Sequence, residues 1–383
     1  MTPRRGLALR ELAIIPDGAL LLRDGLIEEV GPTRRVENLA AARGARVIDA
    51  TGKVVMPGFV DCHTHLMFPP PQSGEGDAVA DLDRAARSLV AVTAQRLAGR
   101  GRVYLQNMAR HGTTTLEAKS GCGPNESAEL KVLRVLHVLN KGPLDIVPTF
   151  LFRLGVPGAD RQRADADAAE RVFRDLMFTI RRRRLARFAD LQWDTDNVRR
   201  PLLVRFLEAA VSLGFARKIH ADQHNSVAAV SLALEYEATS IDHLEHATLD
   251  QARLLAGSST IATLLPCASF FHGHPAPART LIECGVAVAL GSNFNPTLSP
   301  PLNMQTVISL ACLQLEMSPA EAISAATINS AHALRVADRV GSLETGKQAD
   351  VLILNTSDHR DLAYQLGTNL VQTTIKRGEI VRA

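Results

Sequence analysis

The sequence lacks a dominant charge and a long apolar stretch. Its 383 residues carry 43 Lys and Arg against 40 Asp and Glu, a formal net charge of +3, so no surface for a nucleic acid or an anionic membrane is indicated. No apolar run reaches the roughly 20 residues that a membrane-spanning helix needs. The first residues contain no uninterrupted apolar segment of the kind that directs secretion. We therefore expect a cytoplasmic protein that acts on a small molecule.

The cysteines are few and scattered. The sequence contains five, none of them in a Cys-x-x-Cys pair: Cys62, Cys122, Cys267, Cys284 and Cys312. A disulfide framework and a cysteine-based zinc site are therefore not indicated, and free thiols agree with a reducing compartment. The four consecutive arginines at 181–184 follow a helical pattern, and we interpret them as a solvated helix end.

The two ends of the chain share a pattern that differs from the middle. Residues 1–57 contain short apolar runs separated by turn residues, including the hairpin signal Asp24-Gly25. The stretches GSLETGKQADVLILN and VQTTIKRGEIVRA resume this pattern near the other end. Neither end is long enough to form a stable sandwich alone. We therefore expect residues 1–57 and 341–383 to form one small β-sandwich, with a catalytic domain at residues 58–340 inserted between them.

The middle of the chain alternates strand-like and helix-like stretches. Helical patterns such as NESAELKVLRVLHVLN and PAEAISAATINSAHAL separate apolar segments, as expected for strands that are buried on both faces. The segments are GFVDCHTHL, GTTTLEAK, DIVPTFL, FADLQWD, ARKIHAD, TSIDHLEH, TIATLLP and VAVALGSN. Eight such β-then-α units predict an α/β fold, a (β/α)8 barrel of the TIM type, with the active site at the carboxyl ends of the strands. The stretch MFPPPQSGEGD after the first segment predicts a mobile active-site loop.

Histidines lie at the ends of several predicted strands. His63 and His65 close the first strand, and residues two apart on a strand face the same side, so two imidazoles can bind one metal ion. His220 ends the fifth segment and His243 the sixth. Either of these two alone is equally well explained as a hydrogen-bonded core histidine. Together, at the mouths of one barrel, the four predict a metal-centred hydrolytic pocket.

Motifs along nearly the whole chain resemble the amidohydrolase superfamily and, within it, the imidazolonepropionase family. In order, they are MPGFVDCHTHL, GTTTLEAKSGCG, KIHADQ, IDHLEH, ALGSNFNP, AATINSAHAL and GSLETGKQADVLIL. The resemblance implies a (β/α)8 barrel with a β-sandwich built from both chain ends, a homodimer, and one divalent metal ion, zinc or iron, that helps water open a cyclic amide. It also implies a set of site residues: metal ligands at His63, His65, His220 and position 293, a general base at position 223, and His243 as the residue that orients the electrophile.

Two of the implied positions carry amides. The family pattern has aspartate where this chain has Asn293, and glutamate where it has Gln223. An amide oxygen can bind a metal ion, but without formal charge it is a weaker ligand. A glutamine cannot accept a proton from water at ordinary pH. The two substitutions therefore argue against the family mechanism operating unchanged.

The implied substrate-binding positions differ as well. The family pattern has a tyrosine where this chain has Cys122, a histidine where it has Leu154, and an arginine in an Ala-Gly-x-Arg motif where it has MFPPPQSGEG. Imidazolonepropionate itself is therefore not the expected substrate. Arg153 could replace the lost cation, and His246 lies just beyond a strand end, from which it could reach the pocket.

Lys119, at the end of the second predicted strand, has two interpretations. It either polarises the substrate or is a buried cation that neutralises carboxylates in the barrel. Cys122 likewise is either a nucleophilic group of the substrate pocket or a small buried hydrophobic residue.

Three functions fit these residues. The first is an amidohydrolase-type enzyme that acts on a C–N bond of a small cyclic amide or imidazolone-like substrate with one divalent metal ion. The second is an enzyme of altered, metal-independent chemistry, such as an isomerase, cyclase or lyase, that uses His243, His65 or Lys119. The third is a non-catalytic relative that binds a ligand in the same pocket.

Overall fold

The structure is a computed structural model that describes residues 2–70, 86–123, 125–154, 166–193, 200–221, 223 and 229–381. Most of the stretch MFPPPQSGEGD, interpreted above as a mobile loop, lies outside the described residues. Within the described part, no helix is both long and apolar enough to cross a membrane.

Eight parallel strands form a barrel, which confirms the predicted (β/α)8 fold. They are β4 (Phe59–Asp61), β5 (Thr113–Lys119), β6 (Asp145–Leu154), β7 (Phe188–Trp193), β8 (Ala216–Ala221), β9 (Ser240–His243), β10 (Ile261–Leu264) and β11 (Val288–Leu290), and each pairs with the next. The first and last strands meet through a parallel bridge between Thr64 and Phe294. Backbone hydrogen bonds from Asn293 N to His63 O (3.0 Å) and from His65 N to Phe294 O (2.7 Å) complete this closure.

Helices follow the strands and pack around the barrel. The longer ones are Ala94–Arg110, Glu126–Leu139, Ala166–Arg182, Arg200–Ser212, Leu249–Ala256 and Met304–Gln314. Shorter helices are Thr33–Glu37, Ala229–Glu235, Pro266–His272, Ala278–Glu283, Pro319–Ser324, Ser330–Ala333 and Asp361–Tyr364, and Gly6–Arg10 and Ala40–Ala42 form 3-10 turns. The arginines at 181–184 are exposed at the end of one of the longer helices, as predicted.

The terminal segments form two further sheets. Strands β1 (Gly18–Arg23) and β2 (Leu26–Pro32) make an antiparallel hairpin whose turn is Asp24-Gly25, as predicted. Both turn residues have positive φ, 51° and 77°, which matches the twist of a two-residue hairpin. The second sheet has the order β14 (Glu379–Ile380), β13 (Val371–Lys376), β12 (Val351–Leu354) and β3 (Val54–Pro57), so it joins strands from both parts of the chain.

One predicted helix is interrupted. The helical pattern over residues 319–334 ends as an α-helix at Ser324, continues as a π-turn over Ala325–Asn329 and resumes at Ser330. Asn329 donates to Val288 O at 2.8 Å, and Ser330 Oγ donates to Leu290 O at 2.9 Å. These bonds anchor the segment to β11, and the widened π-turn accommodates them. The apolar periodicity of the sequence does not reveal this π-turn.

The barrel interior is polar although its strands are rich in apolar residues. All seven residues of β5 are buried, and Glu117 and Lys119 within it are fully inaccessible. Asp190 on β7, Lys218 on β8 and Asp242 on β9 are also fully inaccessible. Buried charges are stable only when they are paired and hydrogen-bonded, so these side chains must be bonded to one another inside the barrel.

Candidate active site

The His-Thr-His segment directly after β4 places two imidazoles side by side at the carboxyl end of the barrel. The Nε2 atoms of His63 and His65 are 3.2 Å apart, and both rings are buried. The Nδ1 atom of His63 is 2.8 Å from Asp242 Oδ2 on β9. A carboxylate on Nδ1 fixes the tautomer and leaves the Nε2 lone pair directed at the shared point between the two rings.

His220 completes a cluster of three imidazoles. It lies near the end of β8, with its ring centroid 5.1 Å from that of His63 and 6.0 Å from that of His65. One ring nitrogen from each of His63, His65 and His220 lies within 4.8 Å of the others. Within the described residues, the buried Nδ1 atoms of His65 and His220 have no hydrogen-bond partner. The structure therefore brings together the three histidines that the sequence predicted.

This cluster fits a divalent metal ion. Burial lowers the pKa of His63 and His65 well below the ordinary value, and the Lys119 ammonium lowers both further. Burial also lowers the pKa of His220 well below its ordinary value, and the nearby His243 lowers it further. The imidazoles are thus neutral, the form that binds metal ions, and the three ring nitrogens that lie within 4.8 Å of one another could bind one ion.

A network of buried charges lies beneath the histidines. Lys119 Nζ contacts Asp190 Oδ2 at 2.5 Å, Asp242 Oδ2 at 2.9 Å and Glu117 Oε2 at 3.2 Å. Lys218 Nζ contacts Glu117 Oε2 at 2.8 Å and Asp242 Oδ2 at 3.6 Å. Burial opposes the ionisation of Asp242, but the two ammonium groups outweigh it and hold its pKa well below the usual range. Asp242 is therefore a fixed negative charge behind His63.

This network also bears on a second group of possible metal ligands. His63, Glu117 and Asp242 likewise have ligand atoms within 4.8 Å of one another. Here the two carboxylates already bind the ammonium groups of Lys119 and Lys218. The positive charge of the lysines balances these carboxylates, as a metal ion would otherwise do.

A histidine–glutamate pair lies beside the cluster. The Nδ1 atom of His243 is 3.2 Å from Glu245 Oε1, and both side chains are buried. The His243 ring centroid is 4.2 Å from that of His220. His243 and Leu244 have positive φ, 86° and 67°, so the chain turns sharply where β9 ends. This turn allows His243 and Glu245, two residues apart, to bond to each other.

The comparisons with known proteins identify the family. Models of the amidohydrolase family match residues 208–381 and residues 46–94. An imidazolonepropionase from Symbiobacterium thermophilum is 39% identical, over 99% of this chain and 93% of the relative. An imidazolonepropionase from Desulfotalea psychrophila is 40% identical, over 99% of this chain and 95% of the relative.

The chain belongs to the amidohydrolase family.

Within that family this amidohydrolase is imidazolonepropionase-like, as its motifs predicted. Solved structures share its fold at low identity. An N-isopropylammelide isopropylaminohydrolase from Burkholderia multivorans gives a TM-score of 0.73 at 17% identity, covering 94% of each chain. A zinc-bound adenosine deaminase from Xanthomonas campestris gives 0.71 at 18% identity, covering 95% of this chain and 88% of the other. Amidohydrolases typically bind a divalent metal ion, and the three-histidine cluster of this amidohydrolase could hold one.

Two residues of this amidohydrolase had alternative interpretations. Lys119 is fully buried and bonded to carboxylates, which favours the buried cation over a group that polarises the substrate. Cys122 is buried in the loop after β5, and burial raises the pKa of its thiol well above the ordinary value. A thiol that stays protonated is a poor nucleophile, so Cys122 contributes a small apolar surface.

The remaining predicted residues lie around the rim. Arg153 is half-buried near the end of β6 and donates through Nε to Gln192 Oε1 at 3.1 Å. His246 is half-buried and stacks on His274, with ring centroids 4.2 Å apart. Gln223 is half-buried two residues beyond β8.

Asn293 lies beside His63 through its backbone bond, and its φ is 53°. That left-handed conformation is one that Asn and Asp tolerate better than most residues, so the backbone suits both the amide present here and the aspartate that the resemblance implies.

Several residues of the site were missed by sequence reasoning. They are Glu117, Asp190, Lys218 and Asp242. The available signal was a charged residue inside an otherwise apolar strand, which in a barrel implies a paired interior charge.

Proposed function

We propose that this amidohydrolase is a mononuclear metal-dependent hydrolase that opens a C–N bond of a small cyclic amide, an imidazolone-like ring, with zinc or iron as the ion. The observation that carries the proposal is the convergence of His63, His65 and His220 within 4.8 Å beside the His243–Glu245 pair. Three protein ligands with an open position are typical of metal sites that activate water. The similarity to imidazolonepropionases supports a cyclic amide as the substrate class.

The three histidines would hold the ion, with the amide oxygen of Asn293 as a neutral fourth ligand. When bound, the ion lowers the pKa of a water molecule and polarises the substrate carbonyl. Asp242 holds the His63 ring in place and supplies negative charge that Asn293 lacks. Lys119 acts indirectly in this scheme, because it positions Asp242 through the 2.9 Å contact.

His243 would move the proton. Its Nδ1–H donates to Glu245, which leaves Nε2 to accept a proton. In the proposed step, His243 Nε2 takes a proton from the attacking water as the C–O bond forms. It then gives that proton to the departing ring nitrogen as the C–N bond breaks. Gln223 cannot take up this proton, so its role is to hydrogen-bond water or substrate.

The test is to measure bound metal and ring opening on the same protein. The purified full-length chain is analysed for metal by mass spectrometry and assayed with imidazolones, hydantoins and other small cyclic amides. We expect about one zinc or iron ion per chain, and His63→Ala should lose the ion together with at least about 100-fold in turnover. The matched control is His137→Ala, since His137 is exposed on the helix Glu126–Leu139.

Two outcomes would contradict the proposal. Full turnover after removal of metal by a chelator would favour the metal-independent alternative. Stoichiometric metal with no turnover on any cyclic amide would favour a ligand-binding protein.

A further inference from the structure

A buried carboxylate holds the loop that follows β5. Glu129 lies in the first turn of the helix Glu126–Leu139, and only 1% of its surface is exposed. Its Oε2 atom accepts a hydrogen bond from Gly121 N at 2.9 Å, and its Oε1 atom accepts one from Gly123 N. Hydrogen bonds from backbone N–H groups to a carboxylate are among the stronger ones in proteins. The two oxygens of one side chain therefore hold the backbone on both sides of Cys122.

The glycines on either side of Cys122 make this contact possible. Gly121 has a φ of 89°, a left-handed conformation that favours glycine. A Cβ atom at Gly123 would lie 2.6 Å from Glu129 N and 2.7 Å from Glu129 Oε1. The loop therefore approaches the carboxylate more closely than a residue with a side chain would allow.

The start of the loop is bonded to the barrel. Ser120 N donates to Thr149 O of β6 at 2.9 Å. One residue earlier, Lys119 N donates to Thr64 O at 2.9 Å, within the His-Thr-His segment. The loop therefore begins beside the histidine cluster, and Glu129 holds the part that extends beyond the strand.

Cys122 and the histidine cluster lie around the same space. Burial raises the pKa of Cys122 and lowers the pKa of His65, and the Arg153 guanidinium near the end of β6 acts on both groups. Such an effect weakens with distance, so both groups lie near this end of the barrel. The carboxyl ends of the strands are where a barrel of this type has its pocket. Cys122 is therefore part of the wall of that pocket.

We propose that Glu129 is a positioning residue, which fixes residues 120–123 as a rigid wall of the pocket and so sets how the substrate ring lies against the histidine cluster. The inference rests on the proposed function for the ring that meets this wall. The hold of Glu129 on the loop does not depend on turnover.

Exchange of backbone hydrogen for deuterium tests the hold on the loop. Glu129→Gln keeps the shape of the side chain, but an amide has a single acceptor oxygen, and its NH2 group would face one of the two backbone N–H groups. A peptic peptide that covers residues 120–123 should exchange at least about tenfold faster in Glu129→Gln than in the full-length wild type. The strand Thr113–Lys119 should exchange equally in both proteins.

Two further variants complete the comparison. Glu126→Gln is the matched control, because Glu126 lies in the same helical turn but is exposed, and it should leave the exchange unchanged. Gly123→Ala separates the loop from the carboxylate from the opposite side, so it should loosen the loop as Glu129→Gln does. Because both changes break one contact, their combined effect on exchange should be smaller than the sum of the two. Thermal unfolding shows that each variant keeps the fold.

Steady-state kinetics and metal analysis test the positioning role. With the imidazolone or hydantoin that the wild type opens, Glu129→Gln should raise KM about tenfold and change kcat less than about threefold, because the wall contacts the bound ring throughout the reaction. Bound metal should be unchanged, since the histidine cluster keeps its own bonds. A residue that only stabilised the fold would lower the folded fraction, and with it the apparent kcat, without changing KM.

The outcomes separate this inference from the proposed function. Unchanged exchange in both Glu129→Gln and Gly123→Ala, or faster exchange with an unchanged KM, would show that Glu129 does not position the pocket wall. If the wild type opens no cyclic amide, the hydrolase proposal fails, and the exchange experiment alone decides whether Glu129 holds the loop.

Discussion

At the scale of single residues, Asp242 connects the three-histidine cluster to the network of buried charges. Its Oδ2 atom lies 2.8 Å from His63 Nδ1 and 2.9 Å from Lys119 Nζ, and its Oδ1 atom accepts from Ser240 Oγ at 2.6 Å. Each oxygen is therefore engaged, and the carboxylate has little freedom to rotate. The orientation of the His63 ring is consequently set by the barrel interior.

The amide at position 293 leads to a prediction about metal affinity. Asn293→Asp adds a negative charge beside His63 without changing the size of the side chain or the left-handed backbone that both residues tolerate. We expect the variant to bind zinc roughly tenfold more tightly, because a carboxylate is a stronger ligand for a divalent ion than an amide. Competition with a chromogenic chelator measures the change.

The double variant Asn293→Asp with Gln223→Glu tests the catalytic half of the same idea. It should gain ring-opening activity over Asn293→Asp alone, because a glutamate can accept the proton that glutamine cannot.

Unchanged zinc affinity in Asn293→Asp would show that the side chain at position 293 does not reach the ion.

Sequence alone could predict the histidines of the site but not the charges behind them. Four histidines lie at or just beyond strand ends, and the barrel topology brings those ends together; they are His63, His65, His220 and His243. Glu117 and Asp190 lie inside apolar strands, and their partners are distant in sequence, so only the closed barrel shows which charges meet. The Arg153–Gln192 contact likewise depends on strand register, which the hydrophobic pattern of strands buried on both faces does not fix.

Glu321 joins three elements outside the barrel. It is the third residue of the helix Pro319–Ser324, where it forms a capping box with Ser318. Its carboxylate also contacts Arg10 of the first 3-10 turn at 3.0 Å and Arg279 of the helix Ala278–Glu283 at 3.0 Å. Burial opposes ionisation, but these donors outweigh it and lower the pKa of Glu321 to about 2.

The contribution of Glu321 to the free energy of unfolding depends on pH. Because its pKa is below that of an ordinary glutamate, the stabilisation is fully present above about pH 4.5 and is lost as the pH falls towards about 2. Glu321→Gln should lower the free energy of unfolding by about 2 kcal/mol at pH 7, a value reduced for the exposure of Arg10. The difference from wild type should shrink clearly at pH 3.

Urea unfolding at the two pH values measures this difference. Glu208→Gln is the control, since Glu208 is exposed on the helix Arg200–Ser212 and should change stability little at either pH. An equal loss for Glu321→Gln at both pH values would show that the contribution does not come from the ionised carboxylate.

The elements themselves were largely predictable, and the exceptions have physical causes. Each of the eight apolar segments overlaps a barrel strand, because strands buried on both faces have near-continuous apolar runs. The π-turn at Ala325–Asn329 was not predictable, because it depends on bonds from Asn329 and Ser330 to the last barrel strand. Helical periodicity records which face is buried and contains no information about such bonds.

At the scale of the whole molecule, Gly58 is the single residue between the terminal sheet and the barrel. It separates β3 from β4, and its amide donates to Asp350 O at 3.0 Å. A Cβ atom at this position would lie 2.3 Å from Thr114 Oγ1 and 2.8 Å from Thr114 Cβ. Thr114 is fully buried, so its side chain has little room to move away.

Gly58→Ala should therefore destabilise the whole chain. Crowding of this kind in a packed core typically lowers the free energy of unfolding by about 1–3 kcal/mol. We expect the midpoint temperature of thermal unfolding to fall by a few degrees. Gly99→Ala is the matched control, because a Cβ at Gly99 meets nothing within 4 Å and alanine favours the helix Ala94–Arg110. A stability equal to that of wild type in Gly58→Ala would show that the junction can widen without cost.

The pairing of β3 with β12 also constrains how the protein is made. Val54–Pro57 emerges from the ribosome roughly 300 residues before its partner Val351–Leu354. At a translation rate of about 5–20 residues per second, β3 has no partner strand for roughly 15 to 60 s in the nascent chain. During this interval its backbone is open to pairing with other nascent chains, so production in cells should depend on chaperone supply and on translation speed.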